Sequence, residues 1–548
     1  MAQPPSTPPV VPRATELAPQ RVVPDSTAIV PQRKEPTREL GKPDDDLRLD
    51  VVSYRVDDDA PPAVRAALAG LTARFTGKQR GFEDLSNAAA TVTGFMQREL
   101  GYYLGYAYLP EQSPTDGVIR IAVLEGRLDR VILNWRDGLP VDREVVESYL
   151  ARLEPGSVLK VRDVERVVFL VNDLRGITAR FEVRAGNIAG TASLVVTPSP
   201  EKVLAGKVEF DLNGSKPLGE YRLSGLVQVN SPFGRGDGFT ANALASTTGG
   251  LGFALLGYTT PIGNDGIKAG SSVSVVKYQL DRELFPLDLH GSAFTANIYG
   301  LYPFVRARNL NLFAVASADT KQYEDRNLNG GVKRSVQTVT LGTTGDFRDD
   351  WFGGGVNTYE ASVVSGQVKY IEGASAGLDD DTKFTKLTYG YTRLQDLITG
   401  RALVYFALRG QYAANNLDNT EQFRLGGPDS VRAFPAGEGT GDLGLVTNLE
   451  LRFLPPEDWI GRIAREIVAS VFIDGGYVQY RYRPRITQQP NASKNTALFS
   501  GAGIGLAWVR PNEYSLRMSV AKPISGTSRG GDTNKSVRLN LQAAMLFN

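Results

Sequence analysis

Apolar and polar residues alternate along most of the chain beyond Lys202. In residues 514–520, YSLRMSV, apolar side chains stand at 514, 516, 518 and 520, and polar ones stand between them. Residues 536–547 repeat the pattern. Because successive side chains of a β-strand point to opposite faces of the sheet, this alternation predicts strands with one apolar face. Clusters of Gly, Asn, Asp and Pro between the segments predict turns.

Sixteen such segments occur in this part of the chain. They begin near residues 203, 220, 238, 250, 269, 292, 309, 333, 355, 382, 401, 443, 466, 496, 513 and 535. An even number of antiparallel strands with an apolar outer band is typical of bacterial outer-membrane barrels. The pattern therefore predicts a 16-stranded antiparallel transmembrane β-barrel over residues 202–548, with the charged face of each strand toward the lumen.

Residues before the barrel combine helical and alternating periodicity. An alternating segment at 48–56 precedes two segments with helical spacing of apolar residues and two further alternating segments, and the same order recurs from residue 127. This internal repeat predicts two α+β modules of order βααββ, at 48–126 and 127–201. Residues 1–46 contain ten prolines, so we expect residues 1–47 to form an extended tether and not a helix.

Composition excludes several kinds of chemistry. The sequence has no cysteine and one histidine, His290, so disulfides, thiolate metal sites and histidine triads have no residues to use. We therefore expect no enzyme, no cofactor and no metal. The 61 basic and 60 acidic residues give a net charge of +1, which provides no global attraction for nucleic acid. Residues 1–11 lack the features of a signal peptide, so we expect a mature form.

One predicted loop between strands is unusually rich in glycine and proline. It lies between the eleventh and twelfth predicted strands and reads QFRLGGPDSVRAFPAGEGTGD over residues 422–442. A phosphate-binding loop is disfavoured, because no Lys-Ser/Thr pair and no helix follow the glycines. A mobile surface loop is the simpler alternative. The cation of interest is Arg432, which has Val431 and Phe434 as apolar neighbours.

A carboxylate in the thirteenth predicted strand, which begins near residue 466, has an unusual predicted position. In ASVFIDGGYV, Phe472, Asp474 and Gly476 share one face, and Val471 and Ile473 belong to the lipid-facing one. Asp474 therefore faces the lumen. An unpaired carboxylate inside a narrow barrel is costly, so we expect Asp474 to have a cationic partner.

The sequence resembles a known family, the TpsB transporters of two-partner secretion. These proteins are of the haemolysin secretion/activation type. The loop LGGPDSVRAFPAGEGTGDLG is similar to the family's VRGY/F loop, and FIDGG is similar to its F-x-D-x-G strand motif. The modules match through GYYLGYAYLPEQ, DGVIRIAVLEGRLDRV, VRDVERVVFLVNDL and GTASLVVT. The resemblance covers about Asp50 to Phe547.

The resemblance implies two periplasmic POTRA modules that receive an unfolded partner exoprotein, and a barrel that passes it to the cell surface without ATP. It also implies that the loop at about 420–442 folds into the lumen. There Arg432 would pair with Asp474, surrounded by Val431, Phe434, Phe472 and Gly476. Other expected partners are outer-membrane lipid and, during biogenesis, the barrel-assembly machinery. We expect no nucleic-acid partner and a monomeric state.

Two further expectations follow. Ala433 stands where the family usually has Gly, so we expect that position not to need a positive φ. A module with an exposed strand edge can bind an extended client by adding it as another strand. Two alternatives stay open: an assembly or insertion factor for other barrels, and a passive porin or adhesin.

Overall fold

The computed structural model describes residues 48–188, 190–373, 380–484, 495–526 and 537–547. The expected tether at 1–47 lies outside these residues. The described chain divides into two compact units. One contains residues 48–201 together with Arg306–Arg308, and the other contains the remaining described residues.

The first module contains β1 (Arg48–Val51), β2 (Ser53–Val56), α1 (Pro62–Thr72), β3 (Gly77–Gly81), α2 (Phe82–Arg98), β4 (Tyr106–Tyr108) and β5 (Val118–Leu124). Its sheet has the order β2-β5-β4. The alternation at 48–56 predicted one strand, but the chain breaks at Val52, which is 70% exposed. As a result β1 pairs separately with β3, a strand between the helices that the βααββ pattern did not include.

The second module follows the predicted order. It contains β6 (Arg127–Leu133), α3 (Arg143–Leu150), α4 (Val161–Asn172), β7 (Ile177–Ala185) and β8 (Thr191–Pro200), with the sheet order β6-β8-β7. Val164, Val167, Val168 and Val171 of α4 are buried in the module's core. Their spacing of three and four residues places them on one face of the helix, which packs on the sheet.

The second unit is a closed barrel of sixteen antiparallel strands. They are β9 (Leu204–Asp211), β10 (Arg222–Asn230), β11 (Gly238–Ser246), β12 (Leu251–Ile262), β13 (Ile267–Gln279), β14 (His290–Arg306), β15 (Leu310–Asn327), β16 (Gly330–Asp349), β17 (Gly355–Glu372), β18 (Lys383–Ile398), β19 (Ala402–Ala413), β22 (Leu443–Phe453), β23 (Ile467–Gln479), β24 (Thr496–Arg510), β25 (Tyr514–Ser525) and β26 (Arg538–Phe547). Each begins within three residues of its predicted start. The predicted fold class is confirmed.

Neighbours in the barrel follow chain order, except that β19 is next to β22 and β26 closes onto β9. The two short strands β20 (Phe423–Leu425) and β21 (Gly439–Gly441) form a separate sheet. We call the end of the barrel at which β9 begins the proximal end and the opposite end the distal end. Since successive strands are antiparallel, the loop from β19 to β22 leaves from the distal end.

Strand parity divides the barrel wall as the alternation predicted. On β23, Val471 and Ile473 are 52% and 50% exposed, whereas Asp474 is 1% exposed. The apolar side chains therefore cover the outer surface, and the polar one points inward. No helix among the described residues is long and apolar enough to span a membrane.

Candidate functional site

The loop between β19 and β22 folds into the barrel as a hairpin. Its two short strands, β20 and β21, pair antiparallel and carry residues 426–438 between them. We call residues 430–434 the tip. The tip contacts side chains of Asn448 on β22, Asp474 on β23 and Asn540 on β26.

Two glycines make the turn into the tip possible. Gly426 and Gly427 have φ values of 90° and 93°, in the left-handed region that favours glycine. A Cβ on Gly426 would lie 1.9 Å from the carbonyl oxygen of Pro435. The N–H of Gly427 donates to the carbonyl oxygen of Phe434 at 2.8 Å and closes the base of the tip.

Arg432 and Asp474 lie in direct contact. The Nε of Arg432 donates to Oδ2 of Asp474 at 3.0 Å, and Nη2 donates to Oδ1 at 2.9 Å. The backbone N–H of Arg432 also donates to Oδ2 at 3.0 Å. One carboxylate thus holds both the side chain and the backbone of the loop residue, in the bidentate geometry that favours arginine over lysine.

Two more groups complete the surroundings of the Arg432 guanidinium. Its Cζ lies 3.3 Å from the centre of the Phe472 ring, which gives a cation–π contact. Its Nη1 lies 3.7 Å from Oε2 of Glu450, an oxygen that Arg452 also approaches at 3.4 Å. Arg432 is therefore enclosed by one strong ion pair, one weaker pair and an aromatic face.

Asn448 and Asn540 bind the tip in ways that the sequence did not predict. The Nδ2 of Asn448 donates to the carbonyl oxygen of Ser430 at 2.7 Å and to Oδ1 of Asp474 at 2.8 Å. The Nδ2 of Asn540 donates to the carbonyl oxygen of Arg432 at 3.2 Å. The contact with Asn448 depends on the strand register, which places Asn448 on β22 directly opposite Asp474 on β23. The sequence did not predict this register.

Apolar side chains of the tip fit beside glycines of the wall. Val431 is fully buried, and a Cβ on Gly476 would lie 2.8 Å from its Cγ2. Phe434 packs edge-on against Phe499 of β24, with ring centres 5.1 Å apart. The structure thus brings Val431 to Gly476, whereas Phe434 has its main aromatic contact elsewhere.

Ala433 is accommodated without backbone strain. Its φ does not lie among the positive values found in the described chain. Its methyl group occupies space that Gly501 leaves free, since a Cβ on Gly501 would lie 2.5 Å from that of Ala433. The side chain is buried.

A second set of contacts holds the beginning of the loop, residues 414–422, which we call the outer segment. Glu421 is buried between two lysines: Lys321 of β15 approaches Oε1 at 2.8 Å, and Lys386 of β18 approaches Oε2 at 2.9 Å. Oδ2 of Asp418 accepts a hydrogen bond from the Tyr370 hydroxyl at 2.8 Å, and its Oδ1 lies 3.4 Å from Nε of Arg334. These contacts were not predicted from the sequence, although lysines and arginines on lumen-facing positions were a possible signal.

Asp442 joins the two parts of the loop at the distal end. Its Oδ1 accepts hydrogen bonds from Nε2 of Gln422 at 2.8 Å and from the N–H of Leu417 at 3.1 Å. Its Oδ2 accepts one from the N–H of Tyr482 at 2.9 Å. Burial raises the pKa of Asp442 to about 6, and these hydrogen bonds oppose the increase.

A pair of α+β modules followed by a 16-stranded barrel with a loop folded inside defines a class of outer-membrane protein. The family model described as "Haemolysin secretion/activation protein ShlB/FhaC/HecB" matches residues 190–508, and the model described as "POTRA domain, ShlB-type" matches residues 55–126. The chain therefore belongs to the ShlB/FhaC/HecB family of two-partner secretion transporters.

Individual relatives agree with this assignment. The heme/hemopexin transporter protein HuxB of Haemophilus influenzae is 24% identical over 494 residues, which cover 88% of this chain and 84% of HuxB. The outer membrane transporter CdiB of Dickeya dadantii is 26% identical over 475 residues, which cover 83% of this chain and 79% of CdiB. The solved structure of CdiB from Escherichia coli shares the fold, with a TM-score of 0.71, 20% identity, and coverage of 96% of this chain and 94% of that one.

The chain is thus an outer-membrane transporter whose POTRA modules lie in the periplasm. Because β9 begins a few residues after the second module ends, the proximal end of the barrel is periplasmic. The distal end, from which the loop enters, faces the outside of the cell.

Proposed function

We propose that this protein captures an unfolded partner exoprotein through its POTRA modules and passes it through the barrel to the cell surface without ATP. The observation that carries the proposal is the loop tip bound inside the barrel by Asp474. A barrel that serves only as a passive pore needs neither periplasmic modules nor such a tip.

The proposed organisation has three parts. Residues 48–126 and 127–201 form the two POTRA modules, and residues 202–548 form the barrel with its loop at about 420–442. The match of the POTRA model to residues 55–126 supports the first module's extent. Sheet pairing of β6 and β7 with β8 supports treating the second module as one unit.

Arg432 and Asp474 act as a lock that keeps the loop in one registered state during secretion, and Val431, Phe434, Phe472 and Gly476 support it. Burial of Asp474 favours this role, because breaking a buried pair by removing one partner leaves an uncompensated charge. That cost is roughly 3 to 5 kcal/mol, less where water enters the lumen.

Energy for transport comes from the exoprotein itself. A client that folds after it emerges cannot diffuse back, so folding outside shifts the equilibrium outward. We propose no catalytic activity. The protein works as a monomer in outer-membrane lipid, and the barrel-assembly machinery inserts it during biogenesis.

Client capture occurs by strand addition to a POTRA module. Backbone hydrogen bonds to an exposed strand edge do not depend on the client's side chains, so an unfolded chain of varied sequence can bind. Each three-stranded module sheet has two side edges, and these are the surfaces at which strand addition is considered.

An assembly factor for other barrels is the nearest alternative, and two modules argue against it because that group generally has three or more. Co-expression with the candidate exoprotein encoded by the neighbouring open reading frame separates the two. We expect the exoprotein at the cell surface with the full chain but not with a variant lacking residues 48–201. Normal export by that variant would contradict capture by the modules, and loss of other outer-membrane barrels in a deletion strain would support the alternative.

A further inference from the structure

In the first module, the edge strand β4 is closed to strand addition by a helix side chain. The hydroxyl of Thr93 on α2 accepts a hydrogen bond from the N–H of Ala107 at 2.9 Å and donates to its carbonyl oxygen at 3.2 Å. Gln97 donates to the carbonyl oxygen of Gly105 at 2.9 Å. Ala107 is the middle residue of β4, which is only three residues long, and its two bonded groups point away from the neighbouring strand β5; Gly105 directly precedes β4.

In the second module, the corresponding edge strand is β7, and a helix side chain closes only its first half. The carboxamide of Asn172 on α4 accepts from the N–H of Ala179 at 2.8 Å and donates to its carbonyl oxygen at 3.2 Å. Asn172 therefore takes the place that one residue of an added strand would occupy.

Beyond Ala179 the edge of β7 is open. Since Ala179 turns its backbone groups outward, residues at two-residue intervals along the strand do the same, which are Phe181, Val183 and Ala185. Within the described part of the chain, no hydrogen bond is formed by the outward N–H and C=O groups of these three residues. Val183 is half-buried and Ala185 is exposed, so the open half lies toward the end of the strand.

The other module edges are poorer templates. The strand β2 has four residues. On β6 the register shifts between Leu128 and Val131, and Leu128 is already bonded to Ser157 and Gly156. Short or bulged edges resist pairing with another chain. With nine residues in regular register, β7 offers the longest usable edge.

We propose that an extended segment of the partner exoprotein pairs with residues 181–185 of β7, and that Asn172 sets the point at which the added strand must stop. This inference rests on the proposed function. Thr93 excludes the same mode of binding from β4 of the first module.

The side chains on β7 indicate the chemistry of the client segment. Arg180 and Arg184 are exposed on one face and share Glu182 between them, at 3.2 Å each, which leaves one excess positive charge. Val183 lies on the other face, against the module's core. Cross-strand neighbours share a face, so the client segment alternates apolar residues with polar or acidic ones.

The test measures capture of the urea-unfolded candidate exoprotein, diluted from urea, by the full chain in detergent. Val183→Pro removes an outward N–H and leaves the β7–β8 ladder intact, so we expect affinity to fall about tenfold. Asn172→Ala frees the edge at Ala179, so we expect affinity to rise or the pairing to lengthen. Ala107→Pro in the first module is the matched control, and we expect no change in affinity.

Photo-crosslinking provides a second measurement that does not depend on the stability of the proline variant. A crosslinking residue at Arg184 should capture the exoprotein, and one at Tyr106 of β4 should not. Capture at Tyr106 with none at Arg184 would overturn the assignment to β7 and leave the proposed function standing. Failure of the unmodified chain to bind or export the exoprotein would overturn both.

Discussion

Asp474 holds Arg432 by three hydrogen bonds, two from the guanidinium and one from the backbone N–H. The two residues are 42 positions apart, one in the loop and one on β23. A lysine at position 432 could keep the backbone bond but not the paired side-chain bonds. The contact therefore fixes the position of the loop and also the orientation of its tip.

Replacing Arg432 tests the proposed lock. In Arg432→Ala the buried carboxylate of Asp474 loses its counter-charge, so we expect export to fall at least about tenfold while barrel assembly falls less. Arg432→Lys should give an intermediate defect. Secreted exoprotein and the heat-modifiable folded barrel are measured in the same cells.

The control for this replacement is Arg452→Ala. Arg452 lies near Glu450 in the same region but has no contact with Asp474, so its loss should leave export within about twofold of the unmodified level. Equal defects in the two variants would contradict a specific role for Arg432.

Gly476 makes room for Val431, and this can be tested by a steric rescue. A Cβ at position 476 would lie 2.8 Å from Cγ2 of Val431, so Gly476→Ala should displace the tip and raise the channel's conductance in planar bilayers. Because φ of Gly476 is not positive, the effect is steric and not a backbone effect. Val431→Ala should restore the closed conductance in the double variant. A double variant as open as Gly476→Ala alone would show that the tip is not seated by this contact.

We expect Glu421 to hold the outer segment in the position that keeps the channel closed. In Glu421→Gln the ammonium groups of Lys321 and Lys386 lose a shared buried counter-charge. We expect more frequent channel opening without loss of the folded barrel. Glu360→Gln, at an exposed position on β17, is the matched control. If the Glu421→Gln channel opened only as often as the unmodified channel, the outer segment would have no role in closing it.

The elevated pKa of Asp442 gives the outer segment a pH dependence. A carboxyl group whose folded-state pKa is raised, here to about 6 from 3.8, adds stability below the lower value and loses it as pH rises through the upper one. We therefore expect the channel to open more often at about pH 7.5 than at about pH 5. Asp442→Asn should remove this difference. If the Asp442→Asn channel still opened more often at the higher pH, a group other than Asp442 would be responsible for the pH dependence.

Much of the fold was predictable because a period of two residues is robust over long segments. All sixteen strands begin close to their predicted positions, and the lumen face of β23 follows from parity alone. The break at Val52 was not predictable, since it depends on the hydrogen bond from its N–H to the carbonyl oxygen of Gly117, far along the chain.

The contacts of the loop were predictable only in part. The position of Asp474 on the inner face demanded a cation, and the family resemblance pointed to Arg432. In contrast, Lys321 and Glu421 are separated by 100 residues, and neither has a local signal that identifies the other. Their pairing depends on the closure of the barrel, which brings β15 opposite the outer segment.

Transport into proteoliposomes tests the central claim most directly. The full chain is inserted with its POTRA modules outward, the urea-unfolded candidate exoprotein is added outside without ATP, and protease then removes whatever has not entered. We predict that the exoprotein becomes protected inside the vesicles with the unmodified chain, and at least about tenfold less with Arg432→Ala. No protection by the unmodified chain, or equal protection by both chains, would contradict the account.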